Sequence, residues 1–158
     1  MNHYTIVLLP HQDDEIAIYY ELEKIRLRGL PLLIMFLTAN TDLILNRDRI
    51  NESLIVLRRL GFDDAQIIDI GSLGGIFDGK LCQNIESCFD IIVRVVEKTI
   101  TSRSFDFISP GYEGGHHDHD AAYLLASALK KKYPKSRQKS FYLYNNSANF
   151  YPFFSIFK

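Results

Sequence analysis

The sequence predicts an α/β fold with a mostly parallel sheet and helices on both faces. Short apolar runs alternate along the chain with longer segments whose apolar residues recur at helical spacing. This alternation is typical of βαβ units, in which a helix connects two parallel strands. The runs hold few polar residues, as expected for strands that helices cover on both sides. With 158 residues, we expect one domain spanning 1–158.

The first half of the chain is predicted to contain three strands and two helices. Each helix is expected to end at a glycine, Gly29 or Gly61, because glycine is favoured just after a helix. The predicted strands are Tyr4–Leu9, Leu32–Thr38 and Ala65–Ile70, and the predicted helices are Glu15–Arg28 and Arg47–Leu60. The apolar face of the first helix is expected to comprise Ile16, Tyr19, Tyr20, Leu22 and Ile25.

The second half continues the alternation with a helix, a strand, a helix and a last strand. These elements are predicted at Asn84–Ile100, Phe105–Ser109, Asp118–Tyr133 and Ser140–Tyr144. The remaining segment, Asn145–Lys158, contains five aromatic residues around Pro152. We expect it to be a shortened C-terminal part that packs on the domain. The alternative is a truncated chain that exposes these aromatic residues.

The composition and the apolar runs bear on the partners and location of the protein. Lys and Arg number 18 against 19 Asp and Glu, so the charge does not favour nucleic acid or an anionic membrane as a partner. No apolar run reaches the ~18–20 residues that span a bilayer, and a signal peptide is not recognised, so a cytoplasmic location is expected. Cys82 and Cys88 are too few for a disulfide framework and are expected to be buried or half-buried thiols.

Two clusters of histidine and aspartate follow predicted strands. Pro10–Glu15 directly follows the first strand, and Gly115–His119 comes shortly after the strand at Phe105–Ser109. Ligands in open α/β sheets bind at the carboxyl ends of the strands, so the clusters are expected to meet there. Imidazole and carboxylate are the usual ligands of catalytic zinc. The sequence therefore predicts one metal site, built from both clusters, in a hydrolase.

The aspartates also have a structural interpretation. Asp13, Asp14 or Asp118 could cap a helix, because aspartate is favoured at that position. Capping does not explain why four of the five histidines fall in the same two clusters. Two adjacent carboxylates in a loop point to different sides, so one can bind a metal while the other stays available as a base. We therefore favour the metal site.

The two clusters resemble the signatures of a known enzyme family. Pro10–Glu15 is similar to the (A/P)-H-P-D-D-E motif, and Gly115–His119 to the G-H-x-D-H motif, of the PIG-L/LmbE-like deacetylases. Weaker similarities to the family are the R-x-x-E pattern at 49–52 and the D-G-x-L turn at 78–81. The resemblance implies a Rossmann-like three-layer fold. It also implies zinc-dependent removal of the acetyl group from N-acetylglucosamine-type amides.

The same resemblance assigns roles to the residues of the clusters. It implies His11, Asp14 and His119 as the ligands of one Zn²⁺ per chain, with Fe²⁺ as an alternative metal. It implies Asp13 as the general base that accepts a proton from the attacking water. It implies His116 as the protonated group that stabilises the oxyanion.

Further residues are expected around this centre. Asp118 is expected to orient a histidine by accepting a hydrogen bond from its second ring nitrogen. Arg49 is a candidate for binding substrate hydroxyls or a phosphate, and an ion pair with Glu52 on the helix surface is an equal alternative. Tyr112 and Glu113 are candidates for lining the substrate pocket, with a role in the loop as the alternative.

The sequence departs from the family pattern at two positions, where Gln12 and His117 replace frequent prolines. Gln12 supplies no chemistry and costs the loop some rigidity, while His117 adds a further candidate ligand. The expected function is zinc-dependent deacetylation of an N-acetylglucosamine-containing or related amino-sugar conjugate. The alternatives are a shortened, non-catalytic metal-binding or assembly subunit and a metal-dependent phosphoesterase. The expected partner is the small-molecule conjugate, and a homo-oligomer is left open.

Overall fold

The computed structural model describes residues 3–62, 66–100 and 105–143. The strands are β1 Tyr4–Leu9, β2 Leu32–Phe36, β3 Gln66–Asp69, β4 Phe105–Pro110 and β5 Arg137–Phe141. The α-helices are α1 Tyr19–Leu27, α2 Leu43–Arg59, α3 Ile70–Gly74, α4 Ile85–Thr99 and α5 His117–Lys132. Two 3₁₀ helices span Asp14–Ile18 and Leu81–Asn84. The segment Asn145–Lys158, Ala65 and Tyr144 lie outside the described residues.

The five strands form one parallel sheet in the order β3-β2-β1-β4-β5. Successive strand residues point to opposite faces, so Ile6 and Leu8 pack on one side and Val7 and Leu9 on the other. Helices α4 and α5 cover the first side, and α1 and α2 cover the second. This arrangement confirms the predicted Rossmann-like three-layer α/β fold with a parallel sheet.

The order of the strands determines where a ligand can bind. From β1 the chain first proceeds outward through β2 to β3, and then returns to place β4 on the other side of β1. The connections from β1 and β4 therefore diverge to opposite faces and leave a crevice at the carboxyl ends of these two strands. Both histidine clusters follow these strand ends in the sequence.

The start of the first helix differs from the prediction. Residues 14–18 form a 3₁₀ helix, and α1 begins only at Tyr19. Because a 3₁₀ helix has three residues per turn, it shifts the apolar face, and Ile18 rather than Ile16 is buried. Ile16, Tyr19 and Tyr20 are exposed, contrary to the prediction, whereas the predicted core residues Leu22 and Ile25 are buried.

Other boundaries were placed wrongly where polar residues begin an element. Helix α2 begins four residues before the predicted Arg47. The Asp42 carboxylate caps it by accepting hydrogen bonds from the backbone N–H groups of Ile44 and Leu45, which have no acceptor within the first turn of the helix. Strand β5 begins at Arg137 rather than Ser140, since an edge strand tolerates a polar start. The short helix α3 and the second 3₁₀ helix were not predicted.

Two smaller findings complete the description. Cys88 is buried as expected, but Cys82 is exposed, which corrects the expectation of two buried or half-buried thiols. Gly29 and Gly61 both adopt the left-handed conformation just after a helix, as predicted from their positions. Within the described residues, no helix has the length and hydrophobicity that crossing a membrane requires.

Candidate metal and catalytic site

The two histidine clusters meet at the carboxyl ends of β1 and β4. The ring centroids lie 5.1 Å apart for His11 and His116, and 4.5 Å apart for His116 and His119. One ring nitrogen from each of these three histidines lies within 4.8 Å of the others. His117, by contrast, is exposed at the first position of α5 and is not part of this group.

Asp14 lies between two of these histidines. One carboxylate oxygen is 3.5 Å from Nδ1 of His11, and the other is 3.5 Å from Nε2 of His119. The backbone N–H of His11 also donates a hydrogen bond of 3.0 Å to Asp14 Oδ2. The carboxylate is therefore held in place by its own loop and faces both imidazoles. His11, Asp14 and His119, the three residues expected to be ligands, are brought together.

Asp13, the other carboxylate of the pair, is exposed. Its φ of 96° is the one positive value at a non-glycine residue among the described residues. This left-handed conformation is uncommon for side chains other than Asn and Asp. The backbone N–H of Asp13 donates to the buried carboxylate of Glu15 at 2.9 Å, which helps to hold the turn. The Asp13 side chain makes no capping hydrogen bond to the following helix.

The surroundings of Asp13 alter the pKa of its carboxyl. Partial burial and the adjacent Asp14 raise the pKa of the Asp13 carboxyl, although Arg49 and His11 oppose the shift. A carboxylate whose pKa is raised is a stronger base than an ordinary aspartate.

Asp118 is fully buried and joins the site to the turn at residues 78–81. Its Oδ2 accepts a hydrogen bond from the N–H of Gly79 at 2.7 Å and lies 3.3 Å from Nε2 of His11. Its Oδ1 accepts from the N–H of Leu81 at 3.0 Å. Burial raises its pKa, but these contacts outweigh burial and lower it. Asp118 thus binds this turn and does not cap α5.

Asp78 lies in the same turn, and no role was predicted for it from the sequence. Its Oδ1 lies 3.1 Å from Nε2 of His11, although the side chain is 67% exposed. The D-G-x-L pattern marked the turn, but a turn motif alone does not reveal which distant side chain it contacts. The structure therefore adds a carboxylate to the surroundings of His11.

The chemistry of these groups fits a divalent cation. Burial lowers the pKa of His11, but contacts with Asp118 and Asp14 outweigh it and raise the pKa to about 10. The carboxylates thus stabilise a positive charge at this point, which a metal ion would supply instead of a proton. Nδ1 of His116 is buried and accepts or donates no hydrogen bond within the described part of the chain. Burial lowers the pKa of His119 and so favours the neutral imidazole that metals bind.

Arg49 and Glu52 line a cavity beside Asp13, between the 3₁₀ turn and α2. Arg49 is close enough to Asp13 to lower the pKa of its carboxyl. Among the ion pairs of residues 3–62, none joins Arg49 to Glu52. The surface ion pair that was the alternative for Arg49 is therefore not observed.

Tyr112 and Glu113 precede the second cluster. Tyr112 is 60% exposed, and its ring lies edge-on to that of Tyr123 at 6.3 Å. The Glu113 carboxylate accepts a hydrogen bond of 2.6 Å from the N–H of Leu143, just after β5. Glu113 therefore ties this loop to the edge of the sheet, and its carboxylate also acts electrostatically on His119. That Tyr112 and Glu113 line a substrate pocket stays a prediction.

Several solved structures share the fold. A conserved protein from Thermus thermophilus, TT1542, superimposes with a TM-score of 0.64 at 22% identity, covering 91% of this chain and 68% of that protein. A deacetylase of the teicoplanin biosynthesis pathway superimposes with a TM-score of 0.61 at 14% identity, and the match covers 81% of this chain and 64% of that protein. The N,N'-diacetylchitobiose deacetylase from Pyrococcus horikoshii has a TM-score of 0.60 at 19% identity, and the match covers 83% of this chain and 51% of that protein.

These likenesses show the fold alone, because the identities are low and one fold can carry several reactions. This chain spans only 51–68% of the length of those three proteins. No protein-family model matches the sequence. No curated protein has a significantly similar sequence.

Proposed function

We propose that this protein is a metal-dependent N-deacetylase that hydrolyses the acetamide of an amino-sugar conjugate. The observation that carries the proposal is the cluster of ring nitrogens of His11, His116 and His119, with the Asp14 carboxylate 3.5 Å from two of them and the exposed Asp13 next in the chain. A metal-binding group with an adjacent free carboxylate is the arrangement that hydrolysis by an activated water requires.

His11, Asp14 and His119 would hold the ion, which we propose to be zinc. Ferrous iron is the alternative, because imidazole and carboxylate ligands do not discriminate sharply between these two metals. When bound, the metal acts as a Lewis acid that polarises the amide carbonyl and lowers the pKa of water. Asp118 fixes the ring of His11 through Nε2, which leaves Nδ1 directed toward Asp14.

Asp13 accepts the proton when the water oxygen bonds to the acetamide carbon. Its raised pKa makes the carboxylate a better base, and its exposure leaves it free to approach substrate. His116, next to His119, donates a hydrogen bond to the negative oxygen that forms on the same carbon. The C–N bond then breaks as the proton held by Asp13 passes to the nitrogen, and acetic acid, which ionises to acetate, and the free amine leave.

The substrate class draws support from the fold comparison. Two of the similar structures are deacetylases, one in teicoplanin biosynthesis and one that acts on N,N'-diacetylchitobiose. Phosphoester hydrolysis is less well supported, because it usually needs a second metal. The second group of candidate ligands, His11, Asp78 and Asp118, shares His11 with the first. Both oxygens of Asp118 already accept backbone hydrogen bonds.

The reaction is tested by incubating zinc-loaded protein with a panel of N-acetylglucosamine conjugates and measuring acetate and primary amine. We expect the wild type and the exposed-site control Asp48→Ala to release both products. Asp13→Ala should retain the metal and lose turnover. Equal turnover in Asp13→Ala would refute the role of Asp13. Turnover of a phosphoester but of no acetamide would refute the reaction class.

The ligand set is tested separately by metal analysis. His116 offers a ring nitrogen at a distance that would also suit a ligand. We expect His116→Gln to keep one metal per chain and Asp14→Asn to lose it. The opposite result would assign His116, not Asp14, as the third ligand.

A further inference from the structure

Gln12 occupies an unusual position between two residues of the proposed site. It follows the ligand His11 and precedes the base Asp13, yet its own side chain is only 5% exposed. Its Nε2 donates a hydrogen bond of 3.2 Å to Oδ1 of Asn46, which lies in the first turn of α2 and is also buried. A buried amide that makes a specific contact 34 residues away along the chain constrains the backbone to which it is attached.

Asn46 is the centre of a hydrogen-bond network in which the donor and the acceptor of each bond are determined. Its Nδ2 donates to Oδ2 of Asp69 at 2.7 Å and to the hydroxyl of Ser72 at 3.2 Å. Its Oδ1 accepts from the N–H of Asn40 at 2.9 Å. An ionised carboxylate only accepts hydrogen bonds, so the amide nitrogen of Asn46 must face Asp69. Its oxygen must then face Gln12, and Gln12 must present its NH₂ group.

The network connects the loop to rigid parts of the sheet. Asn40 lies shortly after β2, Asp69 is the last residue of β3, and Ser72 is in α3. Asp69 also caps α3 by accepting from the N–H of Ser72. Through Asn46, Gln12 is therefore held by the ends of two strands and by the start of two helices.

We propose that Gln12 and Asn46 form a positioning pair that holds the loop at 10–15 so that Asp13 and Asp14 both reach the metal site. The inference rests on the proposed function. The backbone of Asp13 has a positive φ, which few side chains adopt, and hydrogen bonds on both sides of Asp13 hold it there. Gln12 anchors the chain before Asp13, and the hydrogen bond from Asp13 to Glu15 anchors it afterwards.

The test uses variants that change the amide and not the proposed ligands. Gln12→Glu replaces the donor by a carboxylate that faces the fixed oxygen of Asn46, and Gln12→Met keeps the length without the hydrogen bond. Gln66→Glu is the matched control, because Gln66 is exposed at the start of β3. Metal-free protein is titrated with Co²⁺ and its visible absorption is recorded, so the readout does not depend on activity.

We expect both Gln12 variants to bind Co²⁺ about tenfold more weakly, the lower end of the effect of residues that orient ligands, and to shift the cobalt absorption bands. With zinc at saturation, kcat for an active acetamide should fall while KM changes little. A core variant, Ile92→Val, should lower the stability without changing the cobalt spectrum, which separates positioning from general destabilisation.

A double-mutant cycle provides the second measurement. If Gln12 and Asn46 act as a pair, the loss of cobalt affinity in Gln12→Met with Asn46→Ala should be smaller than the sum of the two single losses in free energy. Wild-type affinity and spectrum in both Gln12 variants would overturn the inference while leaving the proposed function intact. Failure of the wild type to bind Co²⁺ would overturn the proposed function, and the inference with it.

Discussion

Replacing Asp118 by asparagine should damage both the fold and the metal site. The asparagine side chain has nearly the same shape as aspartate but only one accepting oxygen. In the wild type, Oδ2 serves Gly79 and His11, and Oδ1 serves Leu81. Whichever way the amide is oriented, its NH₂ group meets a backbone N–H that also needs an acceptor. One buried N–H therefore loses its partner.

The magnitude follows from this count of hydrogen bonds. An unsatisfied buried donor costs about 1–3 kcal/mol, and the remaining backbone bond loses its charge assistance, for roughly 1 kcal/mol more. We expect Asp118→Asn to lower the free energy of unfolding of the metal-free protein by about 3 kcal/mol. For a chain of this length that corresponds to a fall in Tm of roughly 6–12 °C. The metal affinity should fall about 10–100-fold, because His11 loses the group that orients it.

The assay is chemical and thermal unfolding in the presence of a chelator, followed by cobalt titration of the refolded protein. Asp90→Asn is the matched control, since Asp90 is exposed on α4; it should lie within about 0.5 kcal/mol of the wild type. If Asp118→Asn were as stable as that control and bound cobalt as tightly as the wild type, the reasoning about Asp118 would be refuted.

Three further outcomes are expected. Gly71→Ala should lower the free energy of unfolding by about 1–3 kcal/mol in denaturant titrations. The reason is that a Cβ at this position would lie 2.2 Å from a carbonyl carbon of the backbone after β2. Unchanged stability would contradict that close approach. Burial raises the pKa of Asp106, but its contacts, foremost that with Arg137, outweigh burial and lower it. The contribution of the Asp106 carboxylate to stability is therefore complete above the unfolded-state pKa of about 4 and is lost as the pH falls through the lower folded-state pKa. Asp106→Asn should be less stable than the wild type at pH 7, and the difference should shrink as the pH is lowered below about 4. A difference that stays constant with pH would argue against the ion pair. Finally, burial raises the pKa of Cys88 to about 12 while Cys82 is exposed, so a maleimide should label one thiol in the folded protein and two in denaturant.

Much of the fold could be predicted because its signals are local. The helix at 85–99 was predicted from apolar residues at helical spacing, of which Ile92 and Val96 are buried in the core and the others pack partly against it. The strands β1 and β2 are almost wholly apolar because helices cover both of their faces. Where a local signal is weak, as in the polar edge strand β5, the boundary was misplaced, since hydrogen bonding to β4 rather than side-chain burial determines it.

The first helix shows how a small change in backbone geometry alters burial. The spacing of Ile16 suggested a continuous α-helix from Glu15. The left-handed Asp13 is followed instead by a 3₁₀ turn, which rotates Ile18 toward the sheet and leaves Ile16 exposed. The hydrophobic period alone could not distinguish these two kinds of helix.

The sequence by itself determined the fold class and the two clusters, because strand alternation and short motifs are local properties of the chain. Only the tertiary structure decided which groups surround His11: Asp118 lies 107 residues away, and Asp78 approaches from a turn with no assigned chemistry. It also decided that Gln12 turns inward to Asn46 while Asp13 turns outward. The physical reason is that such contacts depend on the order of the strands and on a single backbone rotation at Asp13, neither of which has a local signature in the sequence.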